Sequence, residues 1–118
     1  MGWFTRRAGR LKRTAQAAND GRSMDTAAVG HLTEFVRTRR GVEAFVEPKT
    51  AISQTTILLV AFDGESTRRN VPSEVWGHKF AEHLQIPGYD AAVVGYPQRM
   101  RDYNSRMKKQ AQQAQQDR

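Results

Sequence analysis

The side chains best suited to binding chemistry are concentrated in residues 96–109, where arginine, lysine and tyrosine alternate. Arginine donates forked hydrogen bonds to phosphate oxygens, and tyrosine rings stack on unpaired bases. This combination is typical of a segment that binds nucleic acid. The predicted nucleic-acid-binding residues of this segment are Arg99, Arg101, Tyr103, Arg106, Lys108 and Lys109.

The same segment supports a second interpretation, in which it is an exposed helix that docks through an apolar face. Met100, Tyr103 and Met107 recur at helical spacing and share one face, while the charged residues occupy the solvated side. Such a face would dock on a protein partner or on the domain itself. Phosphate binding and protein docking are therefore both open at this point.

A second basic group lies in residues 1–24, which contain six basic residues and one acid. Phe4 and Leu11 recur with alanines at helical spacing, which favours an amphipathic segment. We expect an arm that is dispensable for folding and that contacts nucleic acid or an anionic membrane surface, unless translation starts at Met24. An arginine-rich, acid-poor start is also typical of organelle transit peptides. The predicted binding residues of the arm are Arg6, Arg7, Arg10, Lys12 and Arg13.

The net charge of +7 is carried by the two ends of the chain. Residues 1–24 carry +5 and residues 98–118 carry +4, whereas residues 25–97 carry −2. Blocks of like charge repel one another and often serve as interaction arms. We therefore expect a basic N-terminal arm (1–24), a nearly neutral domain (25–97) and a basic C-terminal helix with a Gln/Ala-rich tail (98–118).

Several kinds of catalytic chemistry have no support in the sequence. The chain contains no cysteine, which excludes disulfides, thiolate metal sites and cysteine nucleophiles, and it lacks the glycine-rich loops that cradle phosphates. His78 and His83 would lie about 140° apart on a helix, and with His31 they form no metal-binding pattern. We expect no catalytic residue, no cofactor and no metal site, so we favour a protein that is not an enzyme.

Three helices are predicted from apolar residues that recur every three or four positions. The first covers residues 25–40, with Asp25 as its N-cap and Gly41 available for a left-handed cap. The second covers residues 72–85. The third begins at Pro97, whose fixed φ suits the first turn of a helix, and it contains most of the basic segment.

Four strands are predicted between these helices, at residues 42–47, 55–62, 65–71 and 89–94. The second strand is apolar on both faces and should be central, and the polar third strand should be an edge. Asp63–Gly64 should join them, because Asp-Gly suits a type I′ turn. The order α-β-β-β-α-β-α predicts an α+β fold, a two-layer sandwich in which helices back an antiparallel meander.

Two resemblances to nucleic-acid enzymes and binders follow from these elements. Glu47–Pro48–Lys49 resembles the Glu-x-Lys half of metal-dependent nuclease sites, and the element order fits a restriction-endonuclease-like core, but no aspartate stands on a preceding strand. The helix, three-strand, helix order is similar to the double-stranded-RNA-binding domain. That family has a lysine cluster where residues 72–79 contain one lysine. Topology alone does not identify either function.

Three stretches together resemble a family of short, uncharacterised actinobacterial proteins. They are RRGVEAFVEP at residues 39–48, DGE at 63–65 and GYPQRMRDY at 95–103, and the resemblance covers residues 25–107. Some proteins of this family carry an oxidoreductase label, which implies redox chemistry. No residues in this sequence support that chemistry.

The sequence thus favours a non-enzymatic accessory protein that binds RNA or a ribonucleoprotein through its basic flanks. The alternative is a small protein-interaction or regulatory module, followed by a metal-dependent nuclease or an oxidoreductase. The longest apolar run, residues 57–62, is far shorter than a bilayer span, and the absence of cysteine is compatible with a reducing compartment. We therefore expect a cytoplasmic protein.

Overall fold

A computed structural model of the chain describes residues 24–117, and these form an α+β domain followed by a long helix. The element order predicted from the sequence is confirmed, with one short additional helix between the last strand and the last long helix. The elements are α1 (Thr26–Thr38), β1 (Glu43–Glu47), β2 (Thr56–Val60), β3 (Ser66–Asn70), α2 (Glu74–His83), β4 (Gly88–Asp90), α3 (Ala91–Val94) and α4 (Gln98–Gln116).

The four strands form one mixed sheet in the order β3-β2-β1-β4. Strands β1, β2 and β3 make the predicted antiparallel meander, with Phe45 opposite Leu58 and Leu58 opposite Arg68. Strand β4 differs from the prediction because it pairs parallel to β1. The chain leaves β3 at one edge and returns through α2 to the other edge, and such a crossover brings in a parallel strand.

Apolar side chains cover both faces of the sheet. On one face, α1 and α2 pack Leu32, Phe35, Trp76 and Phe80 over the strands in a large core. On the other face, α3 and the start of α4 cover a smaller cluster of buried residues, Phe45, Leu58, Val60 and Ala91. Helices therefore contact both faces of the sheet, whereas the sequence predicted helices on one. Strand β2 contributes to both clusters, which confirms its central position.

Side-chain caps set where the helices begin. Asp25 accepts a hydrogen bond from the backbone N–H of Ala27 at the start of α1, as predicted, and Ser73 accepts one from Trp76 at the start of α2. Asp90 acts in the same way on Ala92. The prediction of a strand over residues 89–94 is therefore wrong after Asp90, because this cap turns the apolar run that follows into helix α3.

The β2–β3 connection is a hairpin with a three-residue loop, residues 62–64. Ala61 donates its backbone N–H to the carbonyl of Glu65 (2.8 Å), and Gly64 donates to the carbonyl of Ala61 (3.0 Å). Of the Asp63–Gly64 pair only Gly64 has a positive φ, +98°. A type I′ turn needs two such residues, so the predicted two-residue turn is replaced by the longer loop.

The helices described here include no membrane-spanning candidate. Within residues 24–117, each is too short or too polar to cross a bilayer. Met24, which precedes α1, is 6% exposed and packs in the larger core. The predictions made for residues 1–23 lie outside the described part of the chain.

Candidate nucleic-acid interface

The first turn of α4 is fixed to the domain by Arg99. Its guanidinium group donates to the carboxylate of Glu43 (2.5 Å) and to the backbone carbonyl of Ala61 (3.0 Å). Tyr89 donates its hydroxyl to the other oxygen of Glu43 (3.1 Å), and this raises the pKa of Tyr89. Arg99, predicted from the sequence to bind nucleic acid, therefore directs its charge toward the sheet and a carboxylate.

Gly64 lets the hairpin loop lie directly against α4. A β-carbon at this position would stand 2.0 Å from the carbonyl oxygen of Arg99 and 2.8 Å from the β-carbon of Tyr103. Both distances are far shorter than any real contact, so only glycine allows this approach at φ +98°. The loop and the first turns of α4 consequently form one surface.

The apolar face predicted for docking is used in part by the domain itself. Met100 is half-buried and packs against the smaller core cluster, and Tyr103 is half-buried beside the hairpin loop. Met107 is 39% exposed. Every described residue of the helix beyond Tyr103 is exposed. The helix therefore docks on its own domain at its start and presents the rest to solvent.

The predicted cations of α4 other than Arg99 occupy its solvated sides. Arg101 and Lys108 are seven residues apart, which places them within about 20° of each other around the helix, on the side away from Tyr103. Lys109 is exposed nearby. Arg106 lies closer to the domain, where it donates to the carbonyl of Asp63 (3.3 Å). These four cations form a band that runs from the hairpin loop around the outer side of the helix.

The hairpin loop presents an aromatic ring beside this band. Phe62 is 74% exposed, and its backbone N–H donates to the carbonyl of Arg40 (2.8 Å). A cavity of about 290 Å³ adjoins the ring and is lined by Thr38, Arg39, Arg40, Ala61, Phe62 and Asp63. Sequence analysis missed Phe62 as a surface residue because it ends an apolar run. Its place directly before Asp63–Gly64 was the available signal, since residues next to a turn often leave the core.

Arg39 is held in place at the edge of this cavity. Its guanidinium group donates two hydrogen bonds to the carboxylate of Glu65 (2.8 and 3.2 Å) and lies 4.5 Å from the ring of Phe35. The hydrogen bonds to Glu65 raise the pKa of Arg39. Arg40, the next residue, is exposed. The Arg39–Arg40 pair therefore supplies one arginine engaged with a carboxylate and one on the surface.

A second cleft surrounds Glu47 at the end of β1. Its carboxylate accepts two hydrogen bonds from Arg68 (2.6 and 3.0 Å), one from Thr56 (2.7 Å) and one from the hydroxyl of Tyr96. Burial raises the pKa of Glu47, but the hydrogen bonds from Arg68, Tyr96 and Thr56 outweigh it and leave the pKa below its usual value. The neighbouring cavity measures about 480 Å³. Because both oxygens of Glu47 are already bonded, this group holds β1, β2, β3 and the connection between α3 and α4 together.

The nuclease resemblance does not assemble into a site in the described region. Glu47 is bonded to Arg68 while Lys49 is exposed. Within residues 24–117, no three His, Asp or Glu side chains converge in a way that could hold a metal ion. The described geometry therefore offers hydrogen bonds that stabilise the fold around Glu47, without the paired acids that such chemistry uses.

The two adjacent arginines of β3 lie on opposite faces of the sheet. Arg68 lies on the face of α4, and Arg69 points to the face of α1, because side chains alternate along β3. There His31 hydrogen-bonds to Thr67 (2.7 Å), and its pKa is lowered by burial and by the charges of Arg69 and Arg39. The predicted residues Arg6, Arg7, Arg10, Lys12 and Arg13 lie outside the described residues.

Comparison of the chain with protein-family models, with curated proteins and with solved structures gives no match.

Proposed function

We propose that this protein is a non-enzymatic accessory protein that binds RNA or a ribonucleoprotein through its basic flanks. The observation that carries the proposal is the outer side of α4. Arg101, Lys108 and Lys109 are exposed there on a helix of 19 residues, and Arg106 continues the band toward the hairpin loop. A rigid helix that presents several cations to solvent matches the demands of a phosphate backbone.

The local charge balance supports a polyanion as the ligand. Between residues 98 and 117, the helix carries five basic residues against Asp102 and Asp117. Asp102 accepts a hydrogen bond from Gln98 (3.1 Å), and Gln98 in turn accepts one from Arg101 (3.1 Å), so the partner of Arg101 in this group is an amide and not a carboxylate. The basic residues of the N-terminal arm would add to the same electrostatic attraction.

The test is fluorescence anisotropy with a labelled RNA of mixed sequence at several salt concentrations. For single strands, the slope of log K against log salt is about −0.7 for each neutralised phosphate, so the four cations of α4 alone predict a slope of about −3. Replacing both Arg101 and Lys108 by glutamine should weaken binding and reduce the slope by about 1.4.

A matched control is the double variant Lys49→Gln/Lys79→Gln, which removes the same charge from exposed positions elsewhere in the domain. Equal weakening by both double variants would mean that net charge alone governs binding and that α4 is not the interface. Binding that does not respond to salt, or no binding at low salt, would refute the proposal.

A second candidate function, a protein-interaction module, is favoured by two exposed valines in α3. Val93 is 79% exposed and Val94 is 54% exposed, and both lie close in sequence to the partly exposed Tyr96. Exposed apolar side chains that lie together are typical of protein contacts. Capture of a partner from ribonuclease-treated lysate that is lost in Val93→Ser/Val94→Ser and kept in Arg101→Gln/Lys108→Gln would favour this function over RNA binding.

A further inference from the structure

The exposed ring of Phe62 is not part of the hydrophobic core in the described part of the molecule. It is 74% exposed, and it belongs to neither of the two core clusters. A large apolar side chain in water contributes nothing to folding through burial, and an exposed aromatic ring next to cations is a common feature of nucleic-acid surfaces. The ring of Phe62 is therefore accessible to a ligand.

Backbone contacts around Phe62 fix the position from which its ring projects. The bond from its N–H to the carbonyl of Arg40 ties the hairpin loop to the α1–β1 connection. Gly41, at φ +59°, lies so close that a β-carbon there would stand 3.2 Å from the β-carbon of Phe62. Gly64 fixes the other end of the loop against α4. A loop whose backbone is fixed before binding loses little conformational entropy when a ligand stacks on its side chain.

Arg39 and Arg40 line the cavity next to this ring, and a third arginine, Arg106, contacts the hairpin loop. Arg40 is exposed, Arg106 reaches the loop through the carbonyl of Asp63, and Arg39 is bonded to Glu65. The carboxylate of Asp63 accepts the backbone N–H of Glu65 (3.0 Å) and so is occupied within the turn. Three arginines against two carboxylates leave the surroundings of the ring positive.

We propose that the hairpin loop binds an unpaired base of single-stranded RNA, which stacks on Phe62 in the 290 Å³ cavity while Arg40 and Arg106 contact the flanking phosphates. This inference rests on the proposed function and specifies its ligand. In an A-form duplex the bases are stacked and paired, so a protruding ring cannot reach their faces. Single strands offer a face to the ring at every base, and so the loop should prefer them without reading sequence.

The experiment compares Phe62→Ala with the native protein on three ligands: a mixed-sequence single-stranded RNA, the matching duplex, and heparin, a polyanion without bases. Loss of one base stack should weaken single-strand binding on the order of ten-fold, and heparin binding should change less than about two-fold. Phe62→Trp should retain single-strand binding, because it keeps an aromatic face. Ile52→Ala, a truncation of another exposed apolar side chain, should change binding to neither single-stranded RNA nor heparin.

The outcomes separate the two proposals. If the native protein binds neither RNA nor heparin, the proposed function fails. If Arg101→Gln/Lys108→Gln weakens RNA binding but Phe62→Ala binds single strands as the native protein does, the base site is refuted and the basic helix stands. If Phe62→Ala weakens the binding of RNA and of heparin equally, the base site is also refuted. Arg40→Gln gives a second test, since it should weaken single-strand binding with the ring intact.

Discussion

Replacement of Gly64 by alanine should separate α4 from the domain. The new β-carbon would stand 2.0 Å from the carbonyl oxygen of Arg99 and 2.7 Å from its carbonyl carbon, and both are backbone atoms that cannot rotate away. To reach an ordinary contact, the helix must move by more than about 1 Å relative to the loop. Such a shift breaks the hydrogen bonds that Arg99 donates to Ala61 and Glu43.

The expected cost follows from two contributions. An L-residue at a φ of +98° costs about 1–3 kcal/mol, and loss of a hydrogen bond from a charged donor costs about 1.5–3 kcal/mol. Together they predict a loss of at least about 2.5 kcal/mol in the free energy of unfolding. For a domain of this size, each kcal/mol changes Tm by about 4–8 °C, so Tm should fall by about 10 °C or more.

The matched control is Gly30→Ala, the same chemical change in the exposed middle of α1. A β-carbon at Gly30 would meet no atom within 4 Å. Because alanine is the better helix former, this variant should gain about 0.5–1 kcal/mol. Thermal unfolding followed by circular dichroism measures both variants, and limited proteolysis reports release of α4. If Gly64→Ala unfolds within about 2 °C of the native protein and α4 stays protected from proteolysis, the described contact between α4 and the hairpin loop is refuted.

Two further predictions concern the Glu47 cleft and the core. The pKa of Glu47 in the folded protein is below its usual value of 4.5, so on acidification the unfolded chain takes up the proton at a higher pH than the folded protein does. The ionised Glu47 therefore stabilises the folded state above pH 4.5, and this stabilisation is lost as the pH falls through the folded-state pKa. The urea midpoints of the native protein and of Glu47→Gln should therefore differ at pH 7 and converge toward pH 3. The control Glu82→Gln, at an exposed position, should have the same midpoint as the native protein at both pH values. Phe80→Ala removes a 1%-exposed ring that is stacked 4.9 Å from Trp76, so it should lower the free energy of unfolding by about 3–5 kcal/mol. Phe62→Ala should lower it by less than about 0.5 kcal/mol in the same thermal assay.

Two acid–arginine–tyrosine groups hold the helical C-terminal region on the sheet. Glu43 bonds to Arg99 and Tyr89, and Glu47, four residues along on the same face of β1, bonds to Arg68 and Tyr96. Both acids belong to a strand whose alternation the sequence made visible. Their partners come from β3, β4, the segment leading into α4 and α4 itself, so the pairs could not be read from the spacing of residues along the chain.

Local chemistry explains which parts of the fold were predictable. The cap at Asp25, the central position of β2 and the polar edge strand β3 depend on a few neighbouring residues and on hydrophobic periodicity, and all three are confirmed. The prediction failed after Asp90. An apolar run of four residues suits a strand or a helix equally, and there the cap on Ala92 decided between them.

The candidate interface was only partly predictable for a similar reason. Residue type alone pointed to Arg99, Arg101 and Tyr103 as one binding segment, since all lie in the same basic run. Tertiary contacts then divided them. Arg99 turns inward to Glu43 and Tyr103 packs beside the hairpin loop, while Arg101 lies on the outer side of the helix. The exposure of the Phe62 ring could be recognised only from the position of the loop beside α4.

The sequence by itself determined the α+β class, the order of the elements, the cap at Asp25 and the concentration of charge at the two ends, because each depends on residues near one another in the chain. The tertiary structure decided that β4 joins parallel to β1, that helices cover both faces of the sheet and that Arg99 and Arg68 are bonded to carboxylates. These features depend on contacts between residues far apart in sequence, such as the 56 positions between Glu43 and Arg99. Packing and burial select such contacts, and no local pattern encodes them.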